Sequence, residues 1–422
     1  MHIARHLREP LQAALKDTPV VVLHGARQVG KSTLAQSLVE EGLLAAYRTL
    51  DDATVLTAAV RDPEGFVRAM IEPTVIDEVQ RAPALLRAIK SEIDRDRRPG
   101  RFLLTGSSDA MFVPEVADAL AGRMEVLLLS PFTQGEMAGV REELVDVLFG
   151  EGPSPTAIAS LECESLSREA LGRRMLTGGY PEILRRRDPG RRDAWFGSYL
   201  TSVIQRDVRS IADIEGIADL PRLLSILAGQ HGGLLNMAEL SREIGFSMPT
   251  VKRYLGLLRA THLYQPIPAW AGSTRKRLIK SERVLLNDSG LLAWLLGRGD
   301  GDAFLAGPNF GKLLEGFVVQ EFRRQLEWSR TKPVAYYYRT AAGREVDLVL
   351  EARGGAVVGV EVKSATTIRP ADLRGLEDLR ETAGPRFRAG VVVHPGHDIV
   401  PMGEHLWAFP VSALWGRSKH KR

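Results

Sequence analysis

Residues 20–34, VVVLHGARQVGKSTL, combine residue types and spacing that are suited to phosphate chemistry. The apolar run at residues 20–23 predicts a buried strand, and residues 25–32 match G-x-x-x-x-G-K-[ST] at every position. The glycines let successive backbone N–H groups point at an anion, and the following helix adds its positive N-terminal end. We predict that Lys31 reaches the β- and γ-phosphates and that Ser32 binds Mg²⁺. The predicted nucleotide-binding residues of this loop are Gly25, Ala26, Arg27, Gln28, Val29, Gly30, Lys31, Ser32 and Thr33.

An acidic pair follows the apolar run at residues 74–76. Phosphoryl transfer needs two such acids opposite the loop, and we predict that Asp77 binds Mg²⁺, usually through water, while Glu78 orients and deprotonates the attacking water. Taken alone, such a pair is more often a helix N-cap. Its position about 45 residues after a complete phosphate-binding loop favours the catalytic interpretation.

Two further polar positions accompany predicted strands. The run at residues 101–104 leads to Thr105 and Ser107, either of which can bond the γ-phosphate or the attacking water, or instead form a turn that caps the next helix. Arg123 precedes the strand predicted at residues 124–129. It is either a solvated charge or an arginine finger that reaches the site of a neighbouring subunit, and the second interpretation requires a homo-oligomer.

Composition restricts the class of protein. The 422 residues suffice for about three domains, and 44% apolar content is ordinary for globular cores. The net charge of +4 gives only a mild bias toward polyanions such as DNA. The single cysteine, Cys163, the lack of a secretory signal and the lack of an apolar run long enough to cross a bilayer predict a cytoplasmic protein without membrane contact.

Residues 219–270 predict a helix-turn-helix unit. Helices are expected at residues 220–229, 237–244 and 248–260, with wing strands at 262–266 and 283–286. The third helix would expose Thr250, Lys252 and Arg253, and we predict that Lys252 and Arg253 contact DNA. The alternative is a packing module, because few basic residues are present. The basic run at residues 275–280 offers a further phosphate contact or is merely a solvated loop.

The C-terminal part predicts the element order αβββαβ. Its elements are expected at 312–328, 334–339, 345–350, 357–363, 370–382 and 390–394, and its first helix carries Glu315 and Glu321. Strand alternation puts Glu361 and Lys363 on one face. Together with Asp347 they form a set suited to metal-dependent phosphodiester cleavage, in which Asp347 and Glu361 hold Mg²⁺ and Lys363 positions the water or steadies the phosphate. An active nuclease, an inactive module that grips nucleic acid, and a solvated strand face remain three alternatives.

Several motifs together resemble those of the AAA+ class of ATPases. They are GARQVGKST, VIDEVQ, LLTGSS and LAGRMEVLLLSPFTQGE, and they are most similar to a prokaryotic group in which such a domain precedes a region of unassigned function, DUF4143. The stretches at residues 178–182 and 199–208 also resemble that group. The acidic strand departs from the pattern, because Pro73 and Thr74 replace the first apolar positions.

This resemblance implies ATP rather than GTP and a helical lid over the nucleotide. Arg173, Arg174 or Arg206 of that lid would contact the γ-phosphate, and the alternative for each is a surface ion pair. The C-terminal part resembles the PD-(D/E)xK nuclease superfamily, with Glu315 as the possible helix-borne acid.

We therefore expect an α/β P-loop NTPase of AAA+ type with a parallel sheet and several added modules. The expected function is Mg²⁺-dependent ATP binding and hydrolysis by a protein that acts on DNA, or is bound to it, through the winged helix and the nuclease-like domain. The alternative is a nucleotide-operated switch that binds protein partners and has an inactive nuclease-like domain. The expected modules are the ATPase core at 1–150, the lid at 151–215, the winged helix at 216–300 and the nuclease-like domain at 305–422.

Overall fold

A computed structural model describes residues 3–107, 120–150, 161–211, 216–271, 281–297, 307 and 309–418. The basic run predicted at 275–280 lies outside these residues. None of the helices in the described part of the chain combines the length and the apolar character that a bilayer crossing requires.

The N-terminal part folds around a parallel five-stranded sheet with the strand order β2-β3-β4-β1-β5. Strands β3 and β4 are buried along their whole length, as expected for a sheet that is covered on both faces. Because the strands are parallel, the ends of β1, β3 and β4 meet at one edge, where the loop and the acidic pair follow. The strands are β1 (Val20–His24), β2 (Ala46–Thr49), β3 (Thr74–Asp77), β4 (Phe102–Gly106) and β5 (Met124–Leu128).

Helices cover this sheet, and short helices lead away from it. The phosphate-loop helix has the predicted start, because Gly30 adopts a left-handed conformation immediately before Lys31. The helices are α1 (Arg8–Asp17), α2 (Lys31–Glu40), α3 (Ala53–Arg61), α4 (Pro63–Arg68), α5 (Ala84–Arg95), α6 (Gln134–Ala138) and α7 (Leu144–Phe149).

A helical region follows and continues into the helix-turn-helix unit. A π-helical segment (Val203–Val208) extends α10. The three helices predicted for the helix-turn-helix have the predicted bounds. The predicted wing strands do not form, and the two segments are joined only by isolated antiparallel bridges, from Tyr264 to Leu286 and from Ile267 to Arg283. The helices are α8 (Arg168–Thr177), α9 (Pro181–Leu184), α10 (Pro189–Ser202), α11 (Arg209–Ile211), α12 (Leu220–Gly229), α13 (Met237–Ile244), α14 (Met248–Ala260) and α15 (Ser289–Leu295).

The C-terminal part contains a mixed six-stranded sheet with the order β11-β12-β10-β9-β8-β7. The predicted order αβββαβ is therefore incomplete, because two short strands follow β10. Alternate residues of β10 belong to different hydrophobic clusters: Val391 and Val393 belong to a large cluster, and Val392 belongs to a smaller one with residues of α17. The elements are α16 (Phe310–Gln325), β7 (Val334–Arg339), β8 (Glu345–Glu351), β9 (Val357–Val362), α17 (Arg374–Ala383), β10 (Phe387–His394), β11 (Val400–Gly403) and β12 (Leu406–Pro410).

The tail of the described chain returns to the helical region. Two-residue strands β6 (Leu161–Glu162) and β13 (Arg417–Ser418) pair in antiparallel orientation.

One hydrophobic cluster also runs through every part of the fold. It includes Leu23 of β1, Leu227 of α12 and Phe317 of α16.

Candidate functional site

The phosphate-binding loop connects β1 to α2 and depends on its glycines. Gly25 has φ +149°, and a Cβ atom at this position would lie 2.2 Å from the backbone oxygen of Leu129. Gly30 has φ +98°, a region that favours glycine. The loop therefore curls close to the backbone after β5.

Lys31 is buried inside this loop. Its ammonium group donates hydrogen bonds of 2.9 Å to the carbonyl oxygens of Gly25 and Ala26. Burial lowers the pKa of Lys31 to about 8, against the opposing influence of Glu78 and Asp207. The side chain is thus held by weak neutral acceptors, which an anionic phosphate oxygen can replace.

Asp77 at the end of β3 accepts hydrogen bonds from several hydroxyl groups. The Ser32 hydroxyl lies 3.0 Å from Oδ1, and the Tyr47 hydroxyl lies 2.6 Å from Oδ2. Thr105 also donates to Oδ1, and Thr49 donates to Oδ2 at 3.3 Å. Burial and the bond to Asp77 raise the pKa of Tyr47, which keeps its hydroxyl protonated as a donor. These contacts fix the carboxylate beside Ser32, the geometry predicted for a shared Mg²⁺ ligand pair.

Glu78 has an unusual backbone conformation. Its φ of 59° lies in the left-handed region, which is sparsely populated for residues other than glycine and asparagine. Its carboxylate accepts a hydrogen bond from Gln80, whose amide also lies 3.3 Å from the Ser107 hydroxyl. Burial raises the pKa of Glu78. A raised pKa brings a carboxylate closer to the range of an effective general base.

A cavity of about 780 Å³ adjoins the loop and includes Glu78 and Ser107 in its wall. Sequence reasoning missed most of the remaining wall. The N-terminal segment forms one side, and α9, whose first two residues belong to the stretch at 178–182, forms another. The additional wall residues are Ile3, Ala4, Arg5, Arg8, Phe132, Pro181, Glu182, Leu184 and Arg185.

The predicted arginine sensors do not converge on this cavity. Arg173 and Arg174 line a different cavity beside α6, and Arg174 pairs with Glu164 at 2.8 Å. Arg206 is exposed, whereas Arg185 lines the cavity beside the loop. Of these four arginines, Arg185 is the one that lines the cavity beside the loop.

Arg123 lies at the opposite edge of the sheet from the loop of its own chain. It precedes β5, and its Nε atom contacts Asp94 at 2.6 Å. Because the strands are parallel, the start of β5 is remote from the end of β1. Arg123 therefore lies away from the loop of its own chain.

Acidic side chains of the C-terminal part surround the guanidinium group of Arg283, which lies in the segment predicted as a wing strand. The guanidinium Nη1 of Arg283 lies 3.0 Å from Oδ1 of Asp347 and 3.3 Å from Oε1 of Glu315. The second carboxylate oxygen of Asp347 accepts a 2.8 Å hydrogen bond from the backbone N–H of Val362. Both oxygens of Asp347 are therefore engaged by protein groups.

Glu361 and Lys363 form the other half of this cluster. Lys363 Nζ contacts Glu361 Oε1 at 2.7 Å, while Glu361 Oε2 is buried without a hydrogen-bond partner among the described residues. Burial and the charge of Asp347 raise the pKa values of Glu315 and Glu361 to about 8. In the part of the chain that the structure describes, no three His, Cys, Asp or Glu side chains are arranged to hold a metal ion. The predicted residues thus meet, but around Arg283.

Comparison with known proteins places these features in a family. The AAA domain family matches residues 17–138, and the domain of unknown function DUF4143 matches residues 310–414. The uncharacterized proteins Rv2008c of Mycobacterium tuberculosis and Mb2031c of Mycobacterium bovis are each 30% identical over 407 residues, which cover 96% of this chain and 82% of theirs. The chain belongs to the family of AAA-domain proteins that carry a DUF4143 region. Its N-terminal part is an AAA-type nucleotide-binding domain.

Other regions and structures extend this comparison. Residues 168–302 match another domain of unknown function, DUF8612, which includes the stretches at 178–182 and 199–208. A half-complex of McrB AAA+ hexamers with bound McrC from Thermococcus gammatolerans is similar at 14% identity, with a TM-score of 0.21 and coverage of 68% of this chain and 74% of that chain. A TM-score this low supports no inference about this AAA-domain protein.

In this member of the family, a buried ionic network joins the AAA domain to the DUF4143 region. Glu321 of α16 accepts a 2.9 Å hydrogen bond from the backbone N–H of Gln134, and Arg324 donates a 2.8 Å bond to the Phe132 carbonyl. Arg324 also contacts Asp288 at 3.2 Å. Glu321, an acid of the predicted first C-terminal helix, therefore contributes to this junction and not to the acid cluster.

The predicted DNA-contacting side chains lie on the outer face of α14. Lys252 and Arg253 are exposed, while Val251 and Tyr254 face the core. Ser247 caps this helix by accepting a hydrogen bond from the backbone N–H of Thr250. The helix thus presents both basic residues on its accessible side.

Proposed function

We propose that this protein binds ATP with Mg²⁺ at the phosphate-binding loop and hydrolyses it by in-line attack of water on the γ-phosphate. One observation carries the proposal: the hydroxyl of Ser32 in the loop lies 3.0 Å from Oδ1 of Asp77 at the end of β3, and Glu78 is the next residue in the chain. Loop N–H groups and Lys31 would hold the phosphates. Glu78 would accept the proton of the attacking water.

The donor set beside the loop suits Mg²⁺. The hydroxyl of Ser32 and the carboxylate of Asp77 are hard oxygen ligands, which this ion prefers, and Tyr47 and Thr105 keep Asp77 oriented. Bound Mg²⁺ would neutralise charge on the phosphate oxygens. The apolar and basic wall formed by Ile3, Pro181, Leu184 and Arg185 would hold the rest of the nucleotide.

Arg123 completes the proposed site from a neighbouring subunit. Its half-buried side chain pairs with Asp94 in the single chain, at the sheet edge remote from its own loop. In a homo-oligomer, it would exchange this partner for phosphate oxygens of the adjacent nucleotide.

Replacing Lys31 tests nucleotide binding. We expect Lys31→Ala to weaken the affinity for a fluorescent ATP analogue about 100-fold, because charge-assisted hydrogen bonds to two phosphates are lost. Equilibrium fluorescence titration in Mg²⁺ measures the change. Lys16→Ala removes an exposed lysine from α1 and serves as the matched control. Equal affinities for wild type and Lys31→Ala would contradict the proposed site.

Binding of DNA through α14 is the proposed downstream action, supported by the exposed pair Lys252 and Arg253. We expect the double variant Lys252→Ala/Arg253→Ala to weaken DNA binding and to reduce the slope of log affinity against log salt by about 2, because two phosphate contacts are lost. Gel shifts at several salt concentrations measure both effects. The charge-matched double variant Lys16→Ala/Arg61→Ala should retain the wild-type slope. No salt-sensitive binding by wild type would dismiss DNA as the partner.

A nucleotide-operated switch without nuclease activity is the second candidate. The placement of Arg283 against Asp347 and Glu315 favours it, because the guanidinium occupies the position between the acids that a catalytic cation would need. In this scheme, the C-terminal region binds a partner and does not cut nucleic acid.

A further inference from the structure

The phosphate-binding loop is tied to a distant acid. Arg27 of the loop donates a 2.7 Å hydrogen bond from Nη1 to Oδ1 of Asp207, a residue 180 positions further along the chain. Asp207 is 6% exposed and lies in the π-helical segment Val203–Val208. Short π-helical segments occur frequently at functional sites.

The charge of Asp207 acts on the same cations that nucleotide phosphates require. Asp207 raises the pKa of Lys31, while Lys31 and Arg27 together oppose the upward shift that burial imposes on the pKa of Asp207. Arg27 and Lys31 belong to one loop, so a bound triphosphate would bring several negative charges into the immediate surroundings of this carboxylate. The carboxylate of Asp207 and the phosphates would both be negative, and like charges repel each other strongly where water is excluded.

We propose that Asp207 is an internal anion that competes with nucleotide phosphate for Arg27 and Lys31, so that phosphate binding releases the π-helical segment from the loop. This inference rests on the proposed nucleotide binding and adds the regulation of that site. In this role Asp207 weakens nucleotide binding. When phosphate displaces Asp207 from Arg27 and Lys31, the lid moves.

The packing of α10 connects this release to the wall of the nucleotide cavity. The π-helical segment continues α10, whose Tyr199 hydroxyl lies 2.8 Å from that of Tyr180. Trp195 stacks on Tyr199 with ring centroids 4.9 Å apart. Tyr180 immediately precedes α9, whose Pro181 lines the cavity. A shift of the segment would therefore move a wall of the same cavity.

The proposal is tested by whether loss of the Asp207 charge strengthens or weakens the binding of an ATP analogue. We expect Asp207→Asn to bind a fluorescent ATP analogue about tenfold more tightly than wild type, because the amide keeps the size of the side chain and removes its charge. Affinity for adenosine, measured by competition, should stay unchanged because adenosine carries no phosphate. Asp193→Asn removes an exposed acid from α10 and should leave both affinities at wild-type values.

The outcomes separate this inference from the proposed function. No binding of the ATP analogue by wild type would overturn the nucleotide site itself. Binding by wild type, with equal or weaker binding by Asp207→Asn, would overturn only the competing role of Asp207. Hydrogen exchange of wild type gives an independent test if the variant misfolds: ATP, but not adenosine, should accelerate amide exchange at residues 203–208, and unchanged exchange would also overturn the inference.

Discussion

Glu78→Gln is expected to lower the rate of ATP hydrolysis at least 100-fold while leaving nucleotide affinity within about threefold of wild type. The amide has nearly the same shape but cannot accept the proton of the attacking water, and general bases contribute about 10²–10⁴-fold to rates. The hydrogen bond from Gln80 and the left-handed backbone of Glu78 already hold this side chain in place. Phosphate release under saturating ATP measures the rate.

Glu40→Gln provides the matched control for this variant. Glu40 lies at the exposed end of α2, so its replacement changes the same net charge without touching the cavity. Hydrolysis by Glu40→Gln should remain at the wild-type rate. If Glu78→Gln hydrolysed ATP as fast as wild type, a different group would have to act as the base.

Arg283→Gln is expected to destabilise the protein by roughly 3–5 kcal/mol, because it removes one partner from a buried ionic cluster. Asp347 is 6% exposed and would lose the guanidinium 3.0 Å away, and Glu315 would lose the same cation. Denaturant unfolding monitored by tryptophan fluorescence measures the loss. Arg259→Gln breaks an exposed pair with Glu282 and should cost less than about 1 kcal/mol.

The same Arg283 variant also distinguishes the candidate functions. Nicking of supercoiled plasmid in Mg²⁺ or Mn²⁺ by Arg283→Gln, abolished by adding Lys363→Ala, would support a DNA-processing protein whose acid cluster the wing covers. Absence of nicking would support the switch. Equal stability of wild type and Arg283→Gln would contradict the cluster's contribution to the fold.

Local chemistry explains why much of the nucleotide site could be predicted. The loop, its strand and its helix are contiguous in sequence, so glycine spacing and apolar patterning identify them together. The helix-turn-helix was equally accessible, because the turn at Gly245 and the cap at Ser247 mark its helix ends. Its three helices accordingly have the predicted bounds.

Contacts between distant residues explain what could not be predicted. Arg27 and Asp207 are 180 positions apart, and Arg283 and Asp347 are 64 positions apart. The local sequence around an arginine in a predicted wing strand does not show whether its side chain is exposed or inserted among acidic side chains. Strands β11 and β12 were missed for another reason, because they are short and contain Pro401 and Pro410, which weaken a strand pattern.

The continuous hydrophobic cluster limits where the protein can be divided into fragments. Side chains such as Leu23, Leu227 and Phe317 contribute to one cluster although they come from separate sequence regions. A fragment cut at residue 150 or 305 would expose apolar surface that the intact chain buries, and exposed patches of this kind promote aggregation. The regions should therefore unfold together in a single cooperative transition. For the same reason, evolution would favour keeping these regions together in one chain over exchanging them separately between proteins.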